Sequence, residues 1–141
     1  MKLRFRILFI LSCSFLVVFG PLVAQSSKTI QEKQIASRTV QEYFIEEGMD
    51  EPIIESIERF NANGDLEELK EYNKKGDVKR WEKYAYDENG KLVEEVFLDA
   101  KGRIDRIERT IYADGLKQEK QYFNSREVPY KRKVYEYEYR R

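Results

Sequence analysis

One short phrase recurs along the chain and limits what it can fold into. It reads "FNANGDL" (60–66), "YNKKGDV" (72–78), "YDENGKL" (86–92) and "LDAKGRI" (98–104). In each copy Asn or Asp stands three residues before a Gly, and an aliphatic residue stands two after it. A shortened copy, "YADGL" (112–116), follows, and "YFIEEGMDEPI" (43–53) is a degenerate early copy with an insertion and Pro52. Gly48, Gly64, Gly76, Gly90, Gly102 and Gly115 are spaced by 16, 12, 14, 12 and 13 residues. Tight-turn chemistry explains each position. Asn61, Asn73, Asp87 and Asp99 open a turn by accepting a hydrogen bond from the backbone two residues on. Gly64, Gly76, Gly90, Gly102 and Gly115 then supply the positive φ that closes it. This is the short hairpin loop that ends in a bulge.

Between the turns lie "LEELKEY", "VKRWEKYAY", "LVEEVFL", "IDRIERTIY" and "LKQEKQYF", all of ordinary strand length. A closing segment, "RKVYEYEYR" (132–140), alternates strictly, with Tyr135, Tyr137 and Tyr139 on one face. The expected fold is mainly β: an antiparallel meander of hairpin repeats of about 12–14 residues each. "LEELKEY" and "VKRWEKYA" also place apolar residues three or four apart, as a helix would. Helices cut by Gly every dozen residues would be shorter than usual, so strands are preferred. For residues 28–42 two alternatives stand. "TVQE" (39–42) is either a capping box opening a short N-terminal helix or part of the first strand.

Simple alternation puts Leu66 with Tyr72, and Val78 with Tyr84, on one face and Trp81 on the opposite one, unless a bulge shifts the pleat. Neither face is cleanly polar. A sheet wetted on both sides would cover its aromatics with Lys, Arg and Glu stems.

The first 24 residues follow another logic. Lys2, Arg4 and Arg6 precede the apolar run "ILFILSCSFLVVF" (7–19), then Gly20, Pro21 and a small residue, Ala24. That is the layout of a secretory signal peptide, with a run short of the roughly 20 residues a membrane span needs. Cys13 sits in the middle of the run, not at its end, and reads as a small hydrophobe. The expected organisation is a signal peptide (1–24), a flexible N-terminal segment (25–37) and a hairpin-repeat domain (38–141). Cleavage would remove three of the 26 basic residues and none of the 26 acidic ones, leaving 23 against 26. Charges of both signs are interspersed, which argues against a nucleic-acid partner.

No histidine is present, and no cysteine follows residue 24. Histidine- and cysteine-based triads and structural zinc sites are thereby excluded. Setting Gly90 or Gly64 as the sixth position of a calcium loop places Ala85 or Arg59 first, so the calcium-loop pattern fails. No catalytic, metal-binding or cofactor-binding residue is nominated.

The phrase [YF]-[ND]-x-x-G-x-[LVI], over residues 60 to 123, resembles the Tyr-Asp repeats of RHS-type proteins and the MORN-variant repeats of bacterial secreted and antitoxin-like proteins. The resemblance implies a β-hairpin repeat fold and little about function. The candidate partner contacts are Tyr135, Tyr137 and Tyr139 with Lys131, Arg132 and Lys133, an aromatic and basic terminal strand. The expectation is an exported, non-enzymatic β-repeat protein of the cell envelope or its exterior that binds another protein, such as a host or matrix component. Its alternatives are an assembly subunit or immunity-type partner in an envelope complex, and a small carboxylate-dependent glycan-processing enzyme.

Overall fold

The chain folds into one helix and eight strands in a computed structural model that describes residues 27–45 and 51–140. Residues 1–24, where a signal peptide is expected, and the core of the early "YFIEEGMDEPI" copy with Gly48 lie outside the described residues. The elements are α1 (Ser27–Glu32), β1 (Ser37–Glu42), β2 (Ile53–Phe60), β3 (Leu66–Tyr72), β4 (Val78–Tyr86), β5 (Leu92–Leu98), β6 (Ile104–Ala113), β7 (Leu116–Asn124) and β8 (Pro129–Val134). All eight strands form one antiparallel sheet in sequence order. The helix precedes Thr39–Glu42, which belong to β1 and do not open a helix.

The repeated phrase makes the turns by the expected chemistry. In each full copy the Oδ1 of Asn61, Asn73, Asp87 or Asp99 accepts from the N–H groups two and four residues on, at 2.8–3.0 Å. The Gly N–H returns to the carbonyl of the Asn or Asp. All five nominated glycines have φ between 74° and 83°. The "ADGL" copy differs: Asp114 and Gly115 both have positive φ, the signature of a two-residue hairpin turn.

A further turn carries no glycine and does not show in a glycine alignment. Asn124 makes the same two bonds to Arg126 and Val128, and Glu127 holds the positive φ, at 58°. A side chain there costs about 1–2 kcal/mol. Its ion pair with Arg109, at 3.7 Å, is exposed and adds little. Glu127→Gly should therefore raise stability by roughly 0.5–1 kcal/mol. A urea titration showing destabilisation would contradict this account of the turn.

After each full-length turn the register slips by one residue, where Phe60 meets Leu66, Tyr72 meets Val78, Tyr86 meets Leu92 and Leu98 meets Ile104. This bulge corrects the faces expected from simple alternation. Val78 shares a face with Trp81, whereas Tyr84 lies on the other, and Leu66 and Tyr72 also part. The two faces can be named by their central residues. Glu68, Lys70, Ile107, Arg109 and Phe123 lie on the Trp81 face; Arg80, Tyr84, Glu95, Glu108, Lys120 and Tyr122 lie on the Glu82 face.

No second layer covers the sheet among the described residues, so cover comes from neighbouring side chains. Lys70 Nζ sits 3.7 Å from the centre of a Trp81 ring, Arg106 lies over Phe97 at 3.5 Å and Arg109 over Phe123 at 4.7 Å. The long stems exclude water from the rings while their charges stay wet. Among the described residues the buried apolar ones are Ile30, Ile107, Tyr122 and Phe123.

Glu82 is 6% exposed and sits in a small polar network. Arg80 Nε donates to it at 2.7 Å, and the Tyr84 hydroxyl donates to its other oxygen. Burial pushes the Glu82 carboxyl up, but the bonds from Arg80 and Tyr84 outweigh that and hold it below the usual carboxylate range. A depressed folded value means the stabilisation is complete above about pH 4.3 and is lost as pH falls through the folded value. Burial and the bond to Glu82 hold Tyr84 well above the usual phenol range, so its contribution is lost only on the alkaline side, above about pH 10. Urea midpoints measured from pH 7 to pH 3 should fall, and Glu82→Gln should flatten that acid limb. An unchanged limb in the variant would remove Glu82 as its source.

Candidate contact surface

The strand β8, "PYKRKV", is the last in the sheet, and no described strand pairs with its outer side. Pro129 at its start has no N–H to offer, and a bulge at Tyr130 follows, since Pro129 faces Phe123 and Lys131 faces Tyr122. All six β8 residues are exposed. Tyr130 and Val134 are 59% and 61% exposed, an apolar pair that sequence inspection passed over.

Lys131 and Lys133 lie on the Glu82 face, opposite Tyr122 and Lys120. Their ammonium groups stand 4.4 and 5.7 Å from the Tyr122 ring centre, and Lys120 stands at 5.9 Å. Three cations around one buried ring need compensation. Lys120 has it, from Glu108 at 2.6 Å and Glu95 at 3.0 Å. Burial pushes its ammonium down, and these two carboxylates more than offset that, leaving it above the usual lysine range. Arg132 points to the Trp81 face, 3.9 Å from Glu119.

The tyrosines stand differently from the expected strand 132–140. The ladder ends at Val134, and residues 135–140 extend beyond it. Val134 faces Glu119 near the start of β7, so the neighbouring strand runs out as the tail continues. Two bonds tether the tail: Tyr135 N–H to the Gln118 carbonyl at 3.0 Å and the Tyr137 hydroxyl to the Lys117 carbonyl at 2.7 Å. The Tyr137 bond repeats one made by Tyr86 to Leu66 and by Tyr112 to Leu92, each 20 residues back. A tyrosine thus ties the ends of β4 and β6, and the tail after β8, to a carbonyl of the strand before, a spacing visible in the sequence once sought. Tyr135 is half-buried, Tyr137 is 41% exposed and Tyr139 is 79% exposed.

A groove of about 970 Å³ lies on the Glu82 face near β1–β4, lined by Val40, Phe60, Leu66, Leu69 and Tyr86. The bulges build it, by turning Leu66 away from Tyr72 and onto the face of Leu69. Two of the carboxylates that line it, Glu58 and Glu71, are engaged by Arg38 at 2.5 Å and Arg80 at 3.7 Å. Among the described residues no three His, Cys, Asp or Glu side chains form a metal-binding group. Nor is any described helix long and apolar enough to cross a membrane. Comparison with known proteins finds no matching family model, curated protein or solved structure.

Proposed function

We propose that this chain is an exported, non-enzymatic β-repeat protein of the cell envelope or its exterior, and that it binds another protein through its C-terminal edge. The observation that carries the reading is the state of that edge. β8 presents an outer edge with no described strand on it, two exposed apolar side chains and three cations, followed by Tyr137 and Tyr139, both exposed. Exposed tyrosines and an unpaired strand edge are what strand-addition partners engage. The N-terminal segment with Lys2, Arg4, Arg6 and Ala24 supports export. Residues 25–141 contain neither histidine nor cysteine, which supports binding over catalysis.

The test is capture from envelope and extracellular extracts by the wild-type chain and by a Lys131→Glu, Lys133→Glu variant. The expected result is one partner in stoichiometric amount, lost at least tenfold with the variant while its circular dichroism spectrum stays that of the folded wild type. Equal capture by both proteins would move the contact away from this edge.

A further inference from the structure

The partner that best fits this edge is a second copy of the chain. We propose that two copies pair antiparallel along residues 131–139, about a twofold axis through Tyr135, to make one continuous sheet. This rests on reading the C-terminal edge as the contact surface, and it names the occupant.

Backbone direction is the first argument. Tyr135 sends its N–H inward to Gln118. In an antiparallel strand inward and outward groups alternate, so the backbone groups of Arg132, Val134, Glu136 and Glu138 point outward. Pairing about Tyr135 sets Val134 opposite Glu136 and Arg132 opposite Glu138. Outward groups then meet outward groups, as a ladder requires. Tyr135 faces its own copy in a close, non-hydrogen-bonded pair.

Charge is the second argument. The segment "KRKVYEYEYR" (131–140) is basic in its first half and acidic and aromatic in its second. Antiparallel self-pairing superposes one half on the other. Arg132 meets Glu138, Lys133 meets Tyr137 and Lys131 meets Tyr139, all favourable cross-strand or cation–ring pairs. Other registers with outward groups matched do worse. Centring on Lys133 or on Glu136 sets that charge against itself, and centring on Tyr137 sets Glu136 against Glu138. Centring on Val134 runs past the start of β8, with Tyr139 against Pro129 and Arg140 against Val128. Charges that protect a lone edge against indiscriminate pairing therefore narrow the registers, and the start of β8 at Pro129 decides between those that remain.

The tail is the third argument. Residues 136–140 have no ladder in the single chain, and no described strand pairs with the outer side of β8. Each copy's tail would lie along the other's β8, so both deficits are met reciprocally. A twofold contact of this kind closes on itself and stops at two copies.

A Tyr135→Cys variant of the full chain, in a Cys13→Ser background, tests the register. Mild oxidation should give a disulfide-linked dimer in high yield, because the two positions face each other. Tyr139→Cys, whose partner position is Lys131, should stay reduced under the same conditions. Light scattering on the cysteine-free chain should give the mass of two copies. Arg132→Glu should weaken dimerisation at least tenfold, and Arg132→Glu with Glu138→Arg should restore it. A chain monomeric at high concentration, with Tyr135→Cys unlinked, overturns the self-pairing. If extract capture in that case still depends on Lys131 and Lys133, the edge reading survives with a different occupant. If capture is indifferent to them, both readings fall.

Discussion

Trp81→Ala should destabilise the domain by about 3 kcal/mol, and Tyr137→Ala by about 1 kcal/mol at most. Trp81 is the largest side chain of the sheet and is fixed on three sides. Its indole N–H donates to Glu68 at 2.7 Å, and Lys70 stacks on it at 3.7 Å. Its ring also lies on the β5–β6 turn, where a Cβ built on Gly102 would come within 2.9 Å of it. The tryptophan therefore joins β3, β4 and the following hairpin, and truncation would uncover apolar surface that nothing else covers. A single-layer sheet has little stability to spare, since such domains hold only about 5–15 kcal/mol in total. Tyr137, 41% exposed, contributes one hydroxyl bond worth about 1 kcal/mol at most. Circular dichroism melts on the two variants decide the matter. A folded Trp81→Ala beside an unfolded Tyr137→Ala would reverse the roles given to the centre and the edge.

Turn positions were legible because they depend on local chemistry. Asn61, Asn73, Asp87 and Asp99 bond to backbone within four residues, so a seven-residue phrase contains the whole cause. Hairpin order followed, because short turns can join only adjacent antiparallel strands. The faces were not legible. Whether Val78 points with Trp81 or against it depends on a bulge, which is one residue of register and leaves no mark in apolar spacing. The turn at Asn124 was hidden for a related reason: Glu127 takes the conformation that Gly takes elsewhere, and the bonds to Asn124 fix the turn without it. Among the nominated contacts, Lys131, Arg132 and Lys133 lie on the exposed edge. Tyr135 turned out half-buried, because the tail is still tethered to Gln118 at that point.

Gly64→Ala should cost about 3 kcal/mol or more, against about 1 kcal/mol for Gly76→Ala or Gly90→Ala. All three glycines occupy the same position of the same turn with φ between 74° and 82°, so the conformational penalty is common to them. Their surroundings separate them. A Cβ on Gly76 or Gly90 would meet nothing within 4 Å. On Gly64 it would stand 2.1 Å from the Ser27 carbonyl oxygen and 2.9 Å from the Gln31 nitrogen, both backbone atoms of α1. Backbone cannot rotate aside as a side chain can, so the helix must lift off the β2–β3 turn. Lifting it exposes Ile30, which is 1% exposed in the native fold and packs near Phe60 and Ala62. Re-exposing an isoleucine costs about 1.5–3 kcal/mol on top of the strained φ. Hydrogen exchange would locate the damage: amides of residues 33–35, which bond back to α1, should lose protection in Gly64→Ala and keep it in Gly76→Ala. Equal denaturation midpoints for the two variants would mean that α1 does not rest on this turn in solution.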